Sequence, residues 1–254
     1  MQRGRPARAF PFLLGRSPSV CAPELIFWHA GAVLKAEVAA ELARCVHLGL
    51  IVLEGVTVEE GDSALQGVVD GFAEELRRRY PGSPSPHETG ADVARGLYRC
   101  LGLDPTKTRP SNEALLRRVL RGERLYRINT LVDSLNLCSL RHQLPFGLYD
   151  LHALHPPITL RRGAPGESYD GIRKGRVNVE GRPVLIDEQG PFGNPTSDSA
   201  RSAVSLTTTQ ALVTLYAPAA LGPGRTDEVL DDTAATLTRF CGGAVTFRQI
   251  VPGA

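Results

Sequence analysis

The sequence predicts an α+β fold, and three observations lead to this class. Helical patterns fill most of the first half of the chain, and strand-like patterns fill most of the second half. A strand pattern near the beginning and a helix near the end mix the two types at the termini. The chain has 254 residues, is 42% hydrophobic and shows no solenoid repeat, so it can bury a core of ordinary size.

The first part of the chain combines strands and helices. Glu24–Trp28 is predicted to be a short strand, and Ala36–Arg44 is predicted to be a helix from its residue propensities. Leu48–Val58 is rich in β-branched residues, which favours either a buried strand pair or one long bent strand. Asp62–Arg79 is predicted to be a helix that Asp62 caps and that ends in three arginines, at the negative end of the helix dipole.

Two further helices are predicted before the middle of the chain. Ala91–Leu101 follows Tyr80–Pro86, whose Pro, Gly and Ser content predicts a loop. Ser111 is predicted to cap a helix over Asn112–Arg121, which Gly122 ends.

The second half is predicted to consist mainly of strands. Its predicted elements are strands at Ile158–Arg162, Val184–Asp187, Gln210–Tyr216 and Ala244–Ile250, turns at Gly163–Gly175, a polar loop at Gly190–Ser202 and a helix at Thr226–Phe240. Pairing of the early strand with Gln210–Tyr216 would join both halves in one domain. We therefore expect a disordered basic leader at residues 1–23 and a single domain at residues 24–254.

A helix predicted at Arg127–Gln143 carries a narrow polar strip between apolar faces. Asn129, Asp133 and Asn136 recur at i, i+4 and i+7, so their side chains lie on one strip of the helix. An unpaired buried polar group costs ~1–3 kcal/mol. These side chains therefore either hold the fold together, for example through loop backbone, or meet a ligand.

A second group of candidate residues lies in the polar loop Gly190–Ser202. Ser197, Asp198, Ser199 and Arg201 lie there between two buried strands. Loops that are held by strands often carry binding or catalytic residues, although a solvated connection is an equal alternative.

Composition and motifs exclude several classes of protein. The net charge of +2 neither requires nor excludes nucleic acid. No G-x-G-x-x-G, P-loop, HExxH or G-x-S-x-G motif is present, and no segment approaches a membrane span. Neither the histidines nor the cysteines form a metal-binding pattern, so no metal or cofactor is predicted. Five widely spaced cysteines without a CxxC pair predict reduced core cysteines in a cytoplasmic protein.

The segment Arg127–Asp150 resembles a motif of the B3/B4 domain of the phenylalanyl-tRNA synthetase beta chain, which reads approximately I-N-N-V-V-D-x-T-N-Y-V and then G-Q-P-x-H-A-F-D. The residues that match in register are Ile128, Asn129, Val132, Asp133, Asn136, Pro145 and Asp150. Gly147 stands where the family has its histidine, and Tyr149 replaces the phenylalanine. Ile158–Arg161 with Gly166 and Glu167 is similar to a second motif, I-x-V-R-x-A-x-x-G-E, and the flanks resemble free-standing B3/B4 proteins of bacteria.

The resemblance implies a B3/B4-like arrangement of mixed sheets packed with helices. It also implies hydrolysis of a wrongly attached amino acid from tRNA, with Asn136 on an asparagine of the editing pocket. The family's glutamate has no clear match, and Asp198 is the nearest acid. We therefore expect a cytoplasmic, trans-acting aminoacyl-tRNA deacylase whose partners are tRNA and an amino acid, not DNA or membrane. The expected catalytic residues are Asn136, Asp133 and Asp198; the expected substrate-binding residues are Asn129, Ser197, Ser199 and Arg201.

Two alternatives remain open. The missing histidine favours a non-catalytic module that binds tRNA or an amino acid. A small-molecule biosynthetic enzyme on the same scaffold, such as a Pictet–Spengler-type cyclase, is the third possibility. Where its acid/base glutamate would be sought, beyond His87, the chain has Arg95-Gly96-Leu97.

Overall fold

A computed structural model describes residues 34–82, 84–173 and 175–253. The predicted leader and the predicted strand Glu24–Trp28 lie outside these residues, so the domain boundary at residue 23 stays a prediction. Within them, the α+β class is confirmed. The helices are α1 Ser63–Arg79, α2 Ala91–Cys100, α3 Ser111–Leu120, α4 Thr130–His142 and α5 Pro223–Cys241. The strands are β1 Ala36–Val38, β2 Val46–Glu54, β3 Phe146–Asp150, β4 Ile158–Arg162, β5 Ser168–Gly171, β6 Gly175–Asn178, β7 Pro183–Asp187, β8 Gly190–Asn194, β9 Ser197–Asp198, β10 Gln210–Pro218 and β11 Ala244–Val251.

The described strands form two larger sheets and one hairpin. A four-stranded antiparallel sheet has the order β11-β2-β10-β3, and its central pair β2–β10 joins the early and late parts of the chain as the sequence predicted. A five-stranded sheet has the order β1-β4-β7-β8-β9, in which β1 and β4 are parallel. Strands β5 and β6 form a separate hairpin. Strand β3 is an edge strand of the first sheet, with β10 as its neighbour.

The four-stranded sheet is covered on both faces. On one face, Ile51 and Val213 pack in a core with Leu131 of α4 and Leu230 of α5. On the opposite face, residues of β2 and β10 pack against the five-stranded sheet in a second core, which includes Leu50, Leu212, Leu160, Leu185 and Phe192. Each such side chain contributes ~1.5–3 kcal/mol when it is fully buried. Because both faces of the sheet are buried, the sequences of its central strands are continuous apolar runs and do not alternate with polar residues.

Helices α1 and α3 pack outside α4, away from the sheet. Asp62 caps α1 by accepting a hydrogen bond from the Leu65 N–H, as the sequence predicted. Helix α4 begins three residues later than predicted, because Asn129 is its N-cap and accepts the Val132 N–H. Helix α4 therefore lies between the sheet on one side and two helices on the other.

Several element predictions are wrong. Ala36–Arg44 is not a helix: Ala36–Val38 pairs with β4, and this tertiary pairing overrides the helical propensity of the segment. Ser111 does not cap α3, because Pro110 occupies the N-cap position and Ser111 is the first helical residue. The predicted loop Gly190–Ser202 contains the antiparallel pair β8–β9.

The prediction that the cysteines are all reduced is also wrong. Cys45 and Cys100 form a disulfide that joins the start of β2 to the end of α2. Cys138 and Cys241 are free and buried, and burial raises the pKa of Cys138 to about 11. The two bonded residues lie 55 positions apart, a separation that carries no sequence motif. Across the three described ranges, no helix is long and apolar enough to cross a membrane.

Candidate functional site

A cavity of ≈ 390 Å³ lies beside the edge strand β3, between α4 and the β8–β9 pair. Apolar side chains from α4 and β3 form much of its wall, and polar side chains enter it from α4 and from the turn between β8 and β9. The lining residues most relevant to its chemistry are Leu135, Asn136, Phe146, Leu148, Asn194, Ser197 and Asp198. Cavities of this size that combine apolar walls with a few polar groups are typical small-molecule sites.

Asn136 is the polar residue that α4 contributes to this cavity. Its side chain is half-buried, and it makes no hydrogen bond with any residue in the described part of the chain. Asn129, the first residue of the polar strip, instead caps the helix. The two asparagines therefore differ in role: one amide is used by the fold, and the other is available to a ligand.

Asp198 lines the same cavity and is connected to two buried tyrosines. The Tyr149 hydroxyl donates a hydrogen bond of 2.8 Å to Asp198 Oδ1, and the Tyr149 and Tyr216 hydroxyl oxygens lie 3.3 Å apart. Burial, together with the neighbouring Asp198 carboxylate, raises the pKa of both tyrosines well above the usual value. Both phenols therefore stay protonated, and the Tyr149 hydroxyl orients the carboxylate through its hydrogen bond.

Asn194 holds the turn that leads into β9, the strand of Ser197 and Asp198. Its side-chain oxygen accepts the backbone N–H groups of Thr196 and Ser197 at 2.8 and 2.9 Å, and its amide nitrogen donates to the Tyr169 hydroxyl at 2.8 Å. Tyr98 of α2 donates to the Pro195 carbonyl at 2.7 Å. The polar wall of the cavity is therefore anchored from two other elements.

Gly147 on β3 has no room for a side chain. A Cβ at this position would overlap the Tyr149 hydroxyl and would lie 2.7 Å from Thr214 Oγ1. Gly193 on β8 faces the same phenol, whose Cε1 would lie 2.7 Å from a Cβ there. The tyrosine ring thus occupies the space beside both glycines.

Main-chain N–H and C=O groups of β3 also point toward the cavity. The Tyr216 N–H bonds to the Pro145 carbonyl, and the Asp150 N–H bonds to the Ser202 carbonyl on the opposite edge. In an antiparallel strand the polar groups alternate in direction, so the N–H and C=O of Leu148 point away from β10. They point toward the edge where Leu148 lines the cavity.

A second cavity of ≈ 400 Å³ lies between α1 and α4. Asn136 borders this cavity as well as the first, and Asp133 borders only the second. Asp133 Oδ1 accepts the Ile128 N–H at 3.2 Å. Burial raises the pKa of Asp133, and that hydrogen bond opposes the rise.

The structure separates the predicted site residues into groups. Asn136, Ser197 and Asp198 line the first cavity, and Asp133 borders the second. Ser199 is buried, and its hydroxyl lies 2.8 Å from that of Ser202. These positions describe the geometry, and the roles assigned to the residues stay predictions.

Arg201 is engaged with the fold on the other side of the β8 strand. It binds Asp187 through two bonds of 3.0 Å and donates to the Ala153 carbonyl at 2.8 Å.

Tyr149, Tyr216 and Asn194 were not predicted as site residues from the sequence. Among the described residues, no group of three or more His, Cys, Asp or Glu side chains is placed to hold a metal ion.

Two comparisons relate this chain to known proteins. A solved structure, the N-terminal fragment of the phenylalanyl-tRNA synthetase beta-subunit from Pyrococcus horikoshii, is similar at 13% identity and a TM-score of 0.46. The similarity covers 87% of this chain and 55% of the fragment, so the chain spans about half the length of that relative. Comparison with curated proteins finds no match. The family model of the B3/4 domain matches residues 93–242, which is more than half of the chain, and this protein therefore belongs to the B3/4 domain family.

Proposed function

We propose that this protein is a trans-acting aminoacyl-tRNA deacylase, which hydrolyses the ester between a wrongly attached amino acid and tRNA. The observation that carries the proposal is the first cavity, which is lined by the unpaired amide of Asn136, by the carboxylate of Asp198 and by apolar side chains. Water attacks the ester carbonyl carbon, the bond to the ribose oxygen breaks, and that oxygen takes a proton. The products are the free amino acid and the uncharged tRNA.

The size and walls of the cavity favour an apolar or aromatic amino acid. Its volume of ≈ 390 Å³ lies in the usual range for small-molecule sites, and Leu135, Phe146 and Leu148 supply apolar surface. Each methylene group of a substrate that is buried there contributes ~0.8 kcal/mol. The negative charge of Asp198 suits the α-ammonium group, which every aminoacyl ester carries.

The chemistry proposed here depends on positioning. Asn136 can donate its amide N–H to the ester carbonyl oxygen, where negative charge develops as water attacks. Gly147 leaves β3 without the family's histidine, so a hydroxyl of the tRNA ribose is proposed to assist the attacking water. Orientation of reacting groups in a fixed geometry can lower a barrier without a side-chain base.

The proposed partner is tRNA, and the proposed location is the cytoplasm, where tRNA is charged. The support is the motif at Arg127–Asp150 together with membership of the B3/4 domain family. The Cys45–Cys100 disulfide weighs against a strongly reducing compartment, because disulfides are rare in the cytosol.

The test is hydrolysis of a panel of mischarged tRNAs, each compared with its spontaneous rate in buffer. We expect at least one apolar or aromatic aminoacyl ester to be hydrolysed faster than in buffer, and the Asn136→Ala variant to lose this activity. Rates equal to buffer for the whole panel would reject the deacylase.

A second candidate is a non-catalytic module that binds tRNA or an amino acid, and the closed space at Gly147 favours it. In that case tRNA or an amino acid would raise the melting temperature without turnover.

The Pictet–Spengler-type cyclase has less support. Arg95 is bound to Glu113 by two bonds of 2.7 Å, and neither residue lines the first cavity. Product formation from tryptophan and an aldehyde would restore that possibility.

A further inference from the structure

We propose that a third cavity, between α2 and α3, is a binding site for a phosphomonoester, a small organic molecule that carries a terminal phosphate group. The cavity has a volume of ≈ 380 Å³ and shares no lining residue with the first two cavities, so the inference is independent of the proposed function. Three features support it: a surplus of arginine side chains, the N-terminus of a helix and an apolar wall.

Arginine side chains converge on one buried carboxylate at this cavity. The Arg95 guanidinium on α2 binds both oxygens of Glu113 on α3 at 2.7 Å, and the Glu113 side chain is only 5% exposed. Arg109 and Arg117 lie four positions before and after Glu113, and a nitrogen of each is 3.6 or 3.9 Å from its Oε1. These distances are longer than a hydrogen bond, so both guanidinium groups keep N–H donors for another anion.

The charges around Glu113 do not balance, because three guanidinium groups surround one carboxylate and leave a surplus of two positive charges. Among the described residues that line the cavity, Glu113 is the one acid, whereas Arg95, Arg117 and Arg121 are cations. Arg121 is bound to Glu123 at 2.6 Å and is left out of this balance. A phosphomonoester carries about 1.5 to 2 negative charges at pH 7, and a phosphodiester carries about one. The surplus therefore matches a phosphomonoester better than a nucleic-acid backbone.

The N-terminus of α2 adds partial positive charge at the same place. Ala91, the first residue of the helix, lines the cavity, and the N-cap residue Gly90 has no side chain to accept a hydrogen bond from the first turn. Asp92, the acid of that turn, is bound to His87 at 3.0 Å. Free N–H groups and the helix dipole favour an anion at such an end. The helix end and the arginines of α3 therefore attract the same kind of group.

The remaining wall favours an organic body attached to the phosphate. Leu116 and Leu120 on α3 and Pro86 before α2 supply apolar surface. The planar guanidinium of Arg117 can donate two parallel hydrogen bonds to one phosphate group. The volume of the cavity lies in the usual range for small-molecule sites, so a phosphate held at Arg117 leaves room for an apolar or planar group beside the leucines.

The experiment uses phenyl phosphate as the probe, titrated into the full-length protein and followed by calorimetry and ¹H–¹⁵N NMR. We expect saturable binding with shifts at Arg95 and Arg117. Arg117→Ala should weaken the affinity about tenfold or more, the loss expected for one charge-assisted contact. Arg117→Lys should lose less, because lysine keeps the charge without the planar fork. Arg44→Ala is the control, since it removes the same charge from an exposed residue that lines none of the three cavities.

A second series tests the chemistry of the ligand. Methyl phenyl phosphate, a diester with a single charge, should bind about tenfold more weakly than phenyl phosphate or worse. Inorganic phosphate should also bind more weakly, because it has no group to contact Leu116 and Leu120. A single-stranded oligonucleotide without a terminal phosphate should not displace phenyl phosphate.

Several outcomes would overturn the site. These are no saturable binding of phenyl phosphate, unchanged affinity in Arg117→Ala, or an equal loss in Arg44→Ala. Equal affinities for the monoester and the diester, or for phenyl phosphate and inorganic phosphate, would reject a phosphomonoester as the ligand. Displacement of phenyl phosphate by the oligonucleotide would assign the arginines to a nucleic-acid backbone instead.

Discussion

The hydroxyl of Tyr149 occupies the space that a side chain on Gly147 would enter, although both residues lie on the same strand. The same hydroxyl donates to Asp198 at the cavity. In the B3/B4 motif that this chain resembles, these positions carry histidine and phenylalanine. The two replacements are therefore coupled by sterics: the hydroxyl that a tyrosine adds needs the space that a glycine leaves.

This coupling predicts the effect of adding a side chain at position 147. We expect Gly147→Ala to lower the free energy of unfolding by about 1–3 kcal/mol, because the new methyl group overlaps the phenol. In the Tyr149→Phe background the cost should be smaller by at least about 0.5 kcal/mol, since the overlapping oxygen is gone. It should not vanish, because the phenol Cζ would still lie 2.8 Å away.

Urea denaturation of the four proteins in this cycle gives the coupling. Gly71→Ala is the control: Gly71 lies in the middle of α1, and a methyl group added there would meet no atom within 4 Å apart from the local helix backbone, so alanine should stabilise by about 0.5–1 kcal/mol. Equal costs of Gly147→Ala in both backgrounds would contradict the steric explanation.

The two asparagines of the polar strip should separate stability from activity. Asn129→Ala should cost about 1 kcal/mol of stability, because it removes the N-cap of α4. Asn136→Ala should leave stability within about 0.5 kcal/mol, because no described residue is bonded to its side chain. It should lower kcat/KM for ester hydrolysis by about 100-fold, in the range for loss of one donor to a developing oxyanion.

Asn129→Ser is the control for the cap, since serine also accepts a hydrogen bond from the helix N-terminus. Thermal unfolding and initial rates on one aminoacyl-tRNA are sufficient measurements. A loss of stability in Asn136→Ala equal to that in Asn129→Ala would show that both amides are structural.

The half-buried carboxyl group of Asp133 should make the free energy of unfolding depend on pH. Burial raises its pKa above the usual 3.8, so the folded state binds this proton more tightly than the unfolded state does. The favourable contribution is complete below the unfolded pKa and is lost as the pH rises through the raised value. We expect Asp133→Asn, which can still accept the Ile128 N–H, to gain stability relative to the native protein between about pH 4 and pH 7.

Denaturant unfolding at several pH values measures this difference directly. Asp170→Asn is a suitable control, because Asp170 is exposed on β5. A stability difference between Asp133→Asn and the native protein that stays flat over the interval would show that burial does not govern this carboxyl group.

The Cys45–Cys100 disulfide should contribute about 4 kcal/mol, the loop-entropy value for a separation of 55 residues. Unfolding with and without a reducing agent measures this contribution, and the Cys138→Ala variant, which lacks one of the free buried thiols, should respond to reductant as the native protein does. Thiol labelling of the unfolded, unreduced protein should detect neither Cys45 nor Cys100. Labelling of both would contradict the disulfide.

Strongly periodic segments could be predicted from the sequence, and tertiary effects could not. The cap at Asp62 and the strand Gln210–Tyr216 follow from local chemistry and apolar runs. Ala36–Val38 is a strand only because β4 lies beside it, which helical propensity does not register. The β8–β9 pair was missed because its segment is polar and rich in Gly and Pro, without the apolar pattern of a strand. Hydrogen bonds to the Asn194 side chain hold its turn instead.

The residues of the candidate site could be predicted only in part, because tertiary contacts bring several of them together. Asn136 was identified by helical spacing and by resemblance, and Asp198 only as the nearest acid; the structure places both at one cavity. Tyr149 and Tyr216 meet because β3 pairs with β10, and a single sequence does not give that register. Arg201 was expected to bind the substrate, because nothing in the local sequence indicates that Asp187 holds it.

The edge position of β3 has a consequence for mutagenesis. At Leu148 the N–H and C=O groups point away from β10, on the side where the residue lines the cavity. Substitution of a side chain leaves both groups in place, so an alanine scan of the wall would miss any contact that they make. Replacing the Leu148 amide with an ester linkage deletes that one donor and is the substitution suited to this wall.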